Sequence, residues 1–341
     1  MARYLLRRFG ISLLTIAGMA VIVFLIVRVM PGDAAAVRAG PYASDEAIAA
    51  IRAQYGLDQP LFQQFVNYFG GLLRGNFGVS IRTNQPVLGE LLVRLPASLE
   101  MAFYTVLLAT ILGTALGIAG AWKRGTILDA GTRVLAVFGS SMATFWLGLL
   151  LIYFLYFRAG WFPGPVDRLP VGMPAPPRVT GLYTVDALLR GDFSTFVQAL
   201  RYLALPVITL GFVVMAPILK MVRQAMIETL ESDYVRTAWS LGVSRWQILF
   251  RDGFRNALLP VVTTVGLVFG YMIGGNVIIE VLFSWPGVGR YAYTAIQTND
   301  LEALQGFVIM VGILYVTLNV VVDLLYAWID PRIRLGGKAA T

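Results

Sequence analysis

Residues 231–260, ESDYVRTAWSLGVSRWQILFRDGFRNALLP, form a polar, charge-bearing interruption in a chain otherwise dominated by apolar runs. Ser232 or Asp233 is placed to cap a short helix running through Trp239 to Leu241. Gly242 is placed to end it, because a residue with a Cβ reaches the left-handed conformation only at a cost. A second helix is expected at once. Ser244 followed three residues later by Gln247 is the pattern of a capping box, in which the two side chains satisfy backbone N–H groups at a new helix start. The stretch therefore reads as a short helix, a sharp turn and a longer helix that runs into Leu258, Leu259 and Pro260.

On both sides of this interruption the chain is apolar. Hydrophobic residues make up 57% of the 341, the mean hydropathy is +0.72, and charged residues are only 13%, against about 25% in an average soluble protein. These values describe a polytopic membrane protein. Cysteine and histidine are both absent, which excludes disulfides, thiolate or imidazole metal sites and Ser-His-Asp chemistry. No Gly-x-x-x-x-Gly-Lys-Ser/Thr loop is present either, so the chain has no phosphate-cradling route to ATP.

Six membrane spans are expected, at about 9–29, 97–121, 134–157, 202–221, 258–283 and 306–328. The first is about 20 residues, enough to cross a hydrocarbon core as a helix. It exceeds the 7–15 apolar residues, roughly, of a signal peptide and is read as uncleaved. Residues 31–96 contain no stretch apolar enough to span and read as a small external domain, with one helix starting after Ser44 and ending near Gly56, and another entered through Pro60. Gly113, Gly117 and Gly120 give the second span a small-residue face for close packing. Residues 158–201 are rich in Pro and Gly and read as an external loop. Pro206 and Pro217 lie inside the fourth span, where kinks are expected. Gly266, Gly270, Gly274 and Gly275 recur along the fifth at close-packing intervals. The domain reading is thus 1–30 for the N-terminal tail and first helix, 31–96 for the external domain, and 97–341 for the membrane core.

The net charge of +8 comes from Lys and Arg spread over short segments between apolar runs, with no basic stripe interleaved with aromatics, so membrane orientation explains it better than nucleic acid. Arg3, Arg7 and Arg8 precede the first span, Lys123 and Arg124 follow the second, and Arg332, Arg334 and Lys338 close the chain. By the positive-inside rule both termini and the loop at Lys123 are cytoplasmic. The interruption at 231–260 then lies on the cytoplasmic side as well.

Arg236-Thr237-Ala238, Gly242 and the later Leu259-Pro260 resemble the signature loop of ABC importer permeases of the dipeptide and oligopeptide type. Pro31-Gly32-Asp33, Gly56-Leu57-Asp58-Gln59-Pro60-Leu61, Gly75-Asn76-Phe77-Gly78-Val79-Ser80 and Ser284-Trp285-Pro286-Gly287-Val288-Gly289-Arg290 look like further landmarks of that family, in the same order. The resemblance implies an all-α permease subunit in a bacterial inner membrane that forms a translocation path without enzymatic activity of its own. It also implies a second, homologous permease subunit, two ATPase subunits carrying ATP and Mg, and an external solute-binding protein. The loop at about 223–257 would then be the coupling lever, with Asp233, Tyr234, Arg236, Thr237, Ala238 and Gly242 as the residues that dock and turn it.

Ionisable residues inside spans are costly and point to function by default, which singles out Glu280 in the fifth span and Asp323 in the sixth. Tyr271 and Asn276, with Glu280, are candidates to line a translocation path. The rival from another class is an ion-driven secondary transporter or channel. That fold predicts an internal repeat with paired broken helices, and only the fourth span carries interior prolines. A membrane-embedded enzyme is disfavoured by the missing His and Cys. A helix-turn-helix for DNA is disfavoured by the spans that flank the basic residues within a few positions.

Overall fold

The computed structural model describes residues 2–29, 34–40, 42–54 and 56–329. The landmark at Pro31-Gly32-Asp33 and the basic tail with Arg332, Arg334 and Lys338 lie outside them, as does the side chain of Asp323. The described chain is helical, with one isolated antiparallel bridge between Val79 and Pro86.

In chain order the α-helices are α1 (Ala2–Val29), α2 (Ala34–Ala39), α3 (Asp45–Gln54), α4 (Leu61–Leu73), α5 (Val87–Trp122), α6 (Ile127–Ser141) and α7 (Thr144–Leu151). A π-helical segment, Ile152–Arg158, extends α7. Then follow α8 (Tyr183–Leu189), α9 (Phe193–Leu230), α10 (Asp233–Ser240), α11 (Arg245–Gln247), a second π-helical segment Ile248–Phe254, α12 (Arg255–Gly275), α13 (Val277–Leu282), α14 (Val288–Gln297) and α15 (Leu301–Ile329). Among the described residues, four helices are long and apolar enough to cross a membrane, in α1, α5, α9 and α15. A fifth crossing arises if α6 and α7 are one span.

Two of the expected spans are therefore modified. The third is bent by 104° between α6 and α7, because Met142 and Ala143 take extended backbone conformations (φ −77°, ψ 134° and φ −67°, ψ 123°). Just before the bend the Ser140 hydroxyl donates back to the Ala136 carbonyl at 2.7 Å, a bond that competes with helix geometry. The fifth is interrupted at Asn276 (φ −94°, ψ 6°), whose side-chain amide donates to the Met272 carbonyl at 2.7 Å. That bond satisfies one of the carbonyls orphaned where α12 stops. The second and fourth helices instead begin earlier than the apolar runs require, at Val87 and Phe193, and α9 continues through both Pro206 and Pro217.

The chain divides into two compact units. The first holds residues 1–96 and 286–317. Here α1 packs on α4 through Phe24, which meets the Phe65 ring edge-on at 5.4 Å and stacks on Tyr68 at 5.6 Å. Ser44 caps α3 as its sequence predicts, accepting from the Ala47 N–H at 3.3 Å, and Gly56 follows with φ +61°. A second apolar cluster joins Val87 and Leu91 of α5 to Tyr291 and Ala295 of α14 and to Ala303 and Met310 of α15. Asp300 caps α15 through the Ala303 N–H, while its other oxygen accepts from the Ser80 hydroxyl at 2.5 Å.

The second unit, residues 97–285 and 318–341, is built on α9, which packs against α6, α7, α8 and α12. Along one part of α9, Met215, Ile218, Val222 and Met226 enter a core with Leu249, Val261 and Met272. Along another, Leu203, Leu205 and Leu210 pack with Ile279, Phe283 and Trp285. The glycine face of α5 is in place. A Cβ added at Gly117 would stand 2.8 Å from Val222 of α9, and one at Gly113 3.0 Å from Ile218. Gly266 of α12 approaches Val322 of α15 equally closely, at 2.9 Å.

Candidate functional site

The interruption at 231–260 folds as its local chemistry dictates, with one change. α10 carries a single fully buried residue, Val235, beside half-buried Ser232 and Ala238, while Asp233, Tyr234, Arg236 and Thr237 are exposed. Ser232 occupies the N-cap position (φ −69°, ψ 152°) without capping through its side chain; its hydroxyl turns back to the Thr229 carbonyl at 2.5 Å. Asp233 lies in the first turn, where a carboxylate favours the helix dipole, and pairs at 3.6 Å with Arg236. Gly242 sits at φ +77°. Its N–H bonds the Trp239 carbonyl at 3.0 Å and the Val243 N–H bonds the Ala238 carbonyl at 3.1 Å, the paired hydrogen bonds of a Schellman motif.

Ser244 then starts the next helix, accepting from the Gln247 N–H at 3.4 Å and donating to the Gln247 side-chain oxygen at 3.0 Å. Within two turns this helix becomes π-helical over Ile248–Phe254, a conformation common at functional positions. Ile248 and Leu249 are buried, whereas Trp246 and Phe250 stack at 5.7 Å with their rings only 9° from parallel and both stay exposed. Together with Tyr234 and Leu241 they give the stretch an exposed apolar and aromatic surface, the composition of a partner-binding surface.

Side-chain contacts join this surface to the rest of its unit, and an ion pair braces the helices behind it. The Trp239 indole stacks on Trp122 at the end of α5, with centroids 6.3 Å apart. Arg124 forms an ion pair with Glu231. Asp129 of α6, 2% exposed, accepts from Arg223 Nε of α9 at 2.7 Å and from the Gly125 N–H at 3.1 Å, with Arg133 at 3.8 Å. Asp129 thus ties α6 to the turn after α5 and to the C-terminal part of α9. None of these tethers was visible as a motif. Lys123 and Arg124 mark only a helix end in the sequence, and nothing there singles out Asp129.

The path candidates are split. Tyr271 is 68% exposed and opens on a groove of about 520 Å³ with Leu267 and Thr264 of α12 and Pro217 of α9. There Lys220 donates to the Ser140 hydroxyl at 2.8 Å. Asn276 and Glu280 are instead 3% and 1% exposed, and the Ser98 hydroxyl donates to Glu280 at 2.6 Å. They do not share the Tyr271 groove in this conformation.

Close to Ser98, and unanticipated from the sequence, lies a buried ionic cluster. Glu100 of α5 pairs with Arg168 of the Pro-rich segment and accepts from the Thr184 N–H and hydroxyl at 2.8 and 2.6 Å. The Arg168 guanidinium also donates to the Gly181 carbonyl at 3.1 Å and lies 3.5 Å over the Tyr183 ring. The Trp285 indole donates to the Ala97 carbonyl at 2.9 Å. Both partners of the pair are buried, and their hydrogen bonds join α5 to the Pro-rich segment and to α8. Among the described residues no group of three or more His, Cys, Asp or Glu is arranged to hold a metal.

Comparison with known proteins gives this geometry its family. Residues 109–335 match the family described as "Binding-protein-dependent transport system inner membrane component", and residues 1–102 match its N-terminal counterpart, "Binding-prot-dependent transport system membrane comp, N-term". The chain is 45% identical over 324 residues, 95% of each chain, to the "Probable D,D-dipeptide transport system permease protein DdpB" of Escherichia coli (strain K12). It is 38% identical over 335 residues, 98% of this chain and 99% of the relative, to the "Di/tripeptide transport system permease protein DppB" of Pseudomonas aeruginosa (strain UCBPP-PA14). It is 35% identical over 334 residues, again 98% and 99%, to the "Glutathione transport system permease protein GsiC" of Salmonella choleraesuis (strain SC-B67). Matched along nearly its whole length, the chain belongs to the family of binding-protein-dependent transport system inner membrane components.

Proposed function

We propose that this chain is one of two permease subunits of an ATP-driven importer for peptides or peptide-like solutes, in which ATP and Mg are handled by two separate ATPase subunits and solute arrives on an external binding protein. The observation that carries the reading is α10 with its Schellman turn at Gly242: a short, mostly exposed helix that follows directly on α9 and stacks on the end of α5, with α9 in turn tied to α6 by the Arg223–Asp129 pair. It is built to take a push from a partner and pass it to membrane helices. The names of the relatives, which cover dipeptides, tripeptides and glutathione, support the substrate class.

In this reading the chain crosses a bacterial inner membrane six times, with α6 and α7 as the bent third span and α12 and α13 as the interrupted fifth. Both termini are cytoplasmic, and residues 31–96 form an external domain that, with the Pro-rich segment, receives the binding protein. Asp233, Tyr234, Arg236, Thr237, Ala238 and Gly242 register the ATPase contact. Tyr271 lies on the path, and Asn276 and Glu280 join it when the spans rearrange.

Gentle extraction of the tagged chain from native membranes, followed by a count of the proteins that stay bound and by ATPase assay, tests the proposal. A second permease and two ATPase subunits, with uptake of labelled dipeptide into vesicles only when ATP is supplied, are the expected result. A chain that purifies alone and moves dipeptide on an ion gradient replaces this reading with a secondary transporter.

A further inference from the structure

A polar cavity lies inside the first unit, between the last turn of α1, α4 and the first turns of α15. It consists of two adjoining chambers, of about 90 and about 270 Å³, that share Arg28, Tyr68, Glu302 and Gln305. Its walls carry opposite charges. The Glu302 carboxylate attracts the Arg28 guanidinium, which is held 5.5 Å over the Phe24 ring. Among the buried polar atoms of the lining that have no protein hydrogen-bond partner are Nε of Arg28 and Oε1 of Gln64. The Gln64 amide cannot turn to relieve this, because its nitrogen donates to the Leu57 and Gln59 carbonyls at 3.2 and 2.8 Å. The Tyr68 hydroxyl stands beside Gln305 without a hydrogen bond of normal geometry.

Buried polar groups left in this state carry a desolvation cost that a bound polar species removes. A simple anion at Arg28 would face the Glu302 carboxylate, and a simple cation at Glu302 would face the guanidinium. A species carrying both charges meets neither repulsion. We propose that this cavity binds a small zwitterion, a free α-amino acid or a dipeptide, with its carboxylate on Arg28 and its ammonium group on Glu302. The planar guanidinium fork matches a carboxylate, and the Gln64 oxygen with the Gln305 and Tyr68 groups addresses the atoms between the two charges. The larger chamber falls just below the roughly 300 Å³ at which ligand pockets begin, so a long peptide does not fit. Nothing in the α10 tethers requires this site; the inference rests on the importer reading only for the choice of a dipeptide as probe.

The test is equilibrium binding of tritiated alanyl-alanine to the importer complex purified in detergent without its external binding protein. Saturable binding at one site per chain is expected. Arg28→Gln weakens it roughly tenfold or more, the value of one charge-assisted hydrogen bond, and C-terminally amidated peptide binds wild type as weakly as the free peptide binds that variant. Glu302→Gln behaves in the same way towards N-acetylated peptide. Gln64→Leu, which removes the orphaned oxygen and keeps both charges, gives a smaller loss in a chain whose melting temperature is checked alongside. Absence of saturable binding at millimolar peptide, or unchanged affinity in variants that melt like wild type, overturns the proposal. The same preparation keeps the two readings apart. ATPase partners without cavity binding remove only the zwitterion site, and cavity binding without partners removes only the importer.

Discussion

The indole of Trp239 in α10 lies stacked on the indole of Trp122 at the end of α5, their planes 22° apart. An aromatic pair adds about 0.5–1.5 kcal/mol beyond the area it buries, and this one joins the exposed helix to a membrane helix. Trp239→Ala is expected to keep expression and membrane insertion while lowering the solute moved per ATP hydrolysed; Trp239→Phe, which keeps a ring, retains most of it. Uptake and ATP hydrolysis measured on the same proteoliposomes decide the matter. A wild-type ratio in the alanine variant would show that force leaves α10 by another contact.

Arg223 holds the buried Asp129 carboxylate at 2.7 Å. Removing one partner of a buried pair costs about 3–5 kcal/mol because the remaining charge stays out of water. Arg223→Met should therefore lower the melting temperature of the detergent-solubilised chain clearly, and Asp129→Asn added to it should recover most of the loss. Equal melting of the single and double variants would mean that the Gly125 N–H and Arg133 suffice to hold Asp129.

Gly117 shows how closely α5 approaches α9, since a Cβ there would stand 2.8 Å from the Val222 Cβ and 3.0 Å from the Leu219 carbonyl. Overpacking of this kind costs about 1–3 kcal/mol. Gly117→Ala is predicted to destabilise by that order, and Val222→Ala in the same chain to relieve part of it. A double-variant cycle on thermal unfolding reads the coupling, and strict additivity would place the strain on the Leu219 backbone instead.

Much of this was legible where the physics is local. The helical class follows from apolar runs, the glycine face of α5 from its spacing, and the turn at Gly242 from the need for positive φ. The bend between α6 and α7 is marked by no proline; its only local sign is Gly139-Ser140-Ser141 just before Met142, in a run that otherwise reads as one apolar span. Glu100 and Arg168 are separated by 68 positions, and no periodicity relates an α5 carboxylate to a guanidinium in a Pro-rich segment. The Asp129 tether escaped notice for the same reason. Asn276 and Glu280 stood out as polar residues in an apolar run. Burial and hydrogen bonding, which sequence does not display, set where they point.

At Gly242, φ is +77° and the position where a Cβ would stand is open, so the backbone alone decides what is tolerated. Alanine there costs about 1–2 kcal/mol and asparagine less. Proline both locks φ near −65° and removes the N–H that bonds the Trp239 carbonyl. Gly242→Pro should insert normally and hydrolyse ATP in its complex without moving solute, while Gly242→Asn transports. Normal transport by a well-expressed proline variant would remove Gly242 from the coupling role.

Asp186 ties residues 179–181 of the Pro-rich segment to α8. Its carboxylate accepts from the N–H groups of Val179, Thr180 and Gly181 at 3.2, 2.7 and 2.9 Å and from the Thr180 hydroxyl at 2.7 Å. Burial works to raise its pKa, but the Thr180, Gly181 and Val179 hydrogen bonds outweigh it and hold the carboxyl below its ordinary value. A folded-state pKa below the unfolded one contributes stability that is complete above about pH 4 to 5 and is lost as the pH falls through the lower folded value. Asp186→Asn, which leaves one oxygen to serve the same donors, should therefore melt below wild type at pH 7, and the gap should close as the pH is lowered towards 3. Melting curves of both chains across that range carry the test. A gap that stays constant with pH would mean that the contribution of Asp186 is geometric rather than electrostatic.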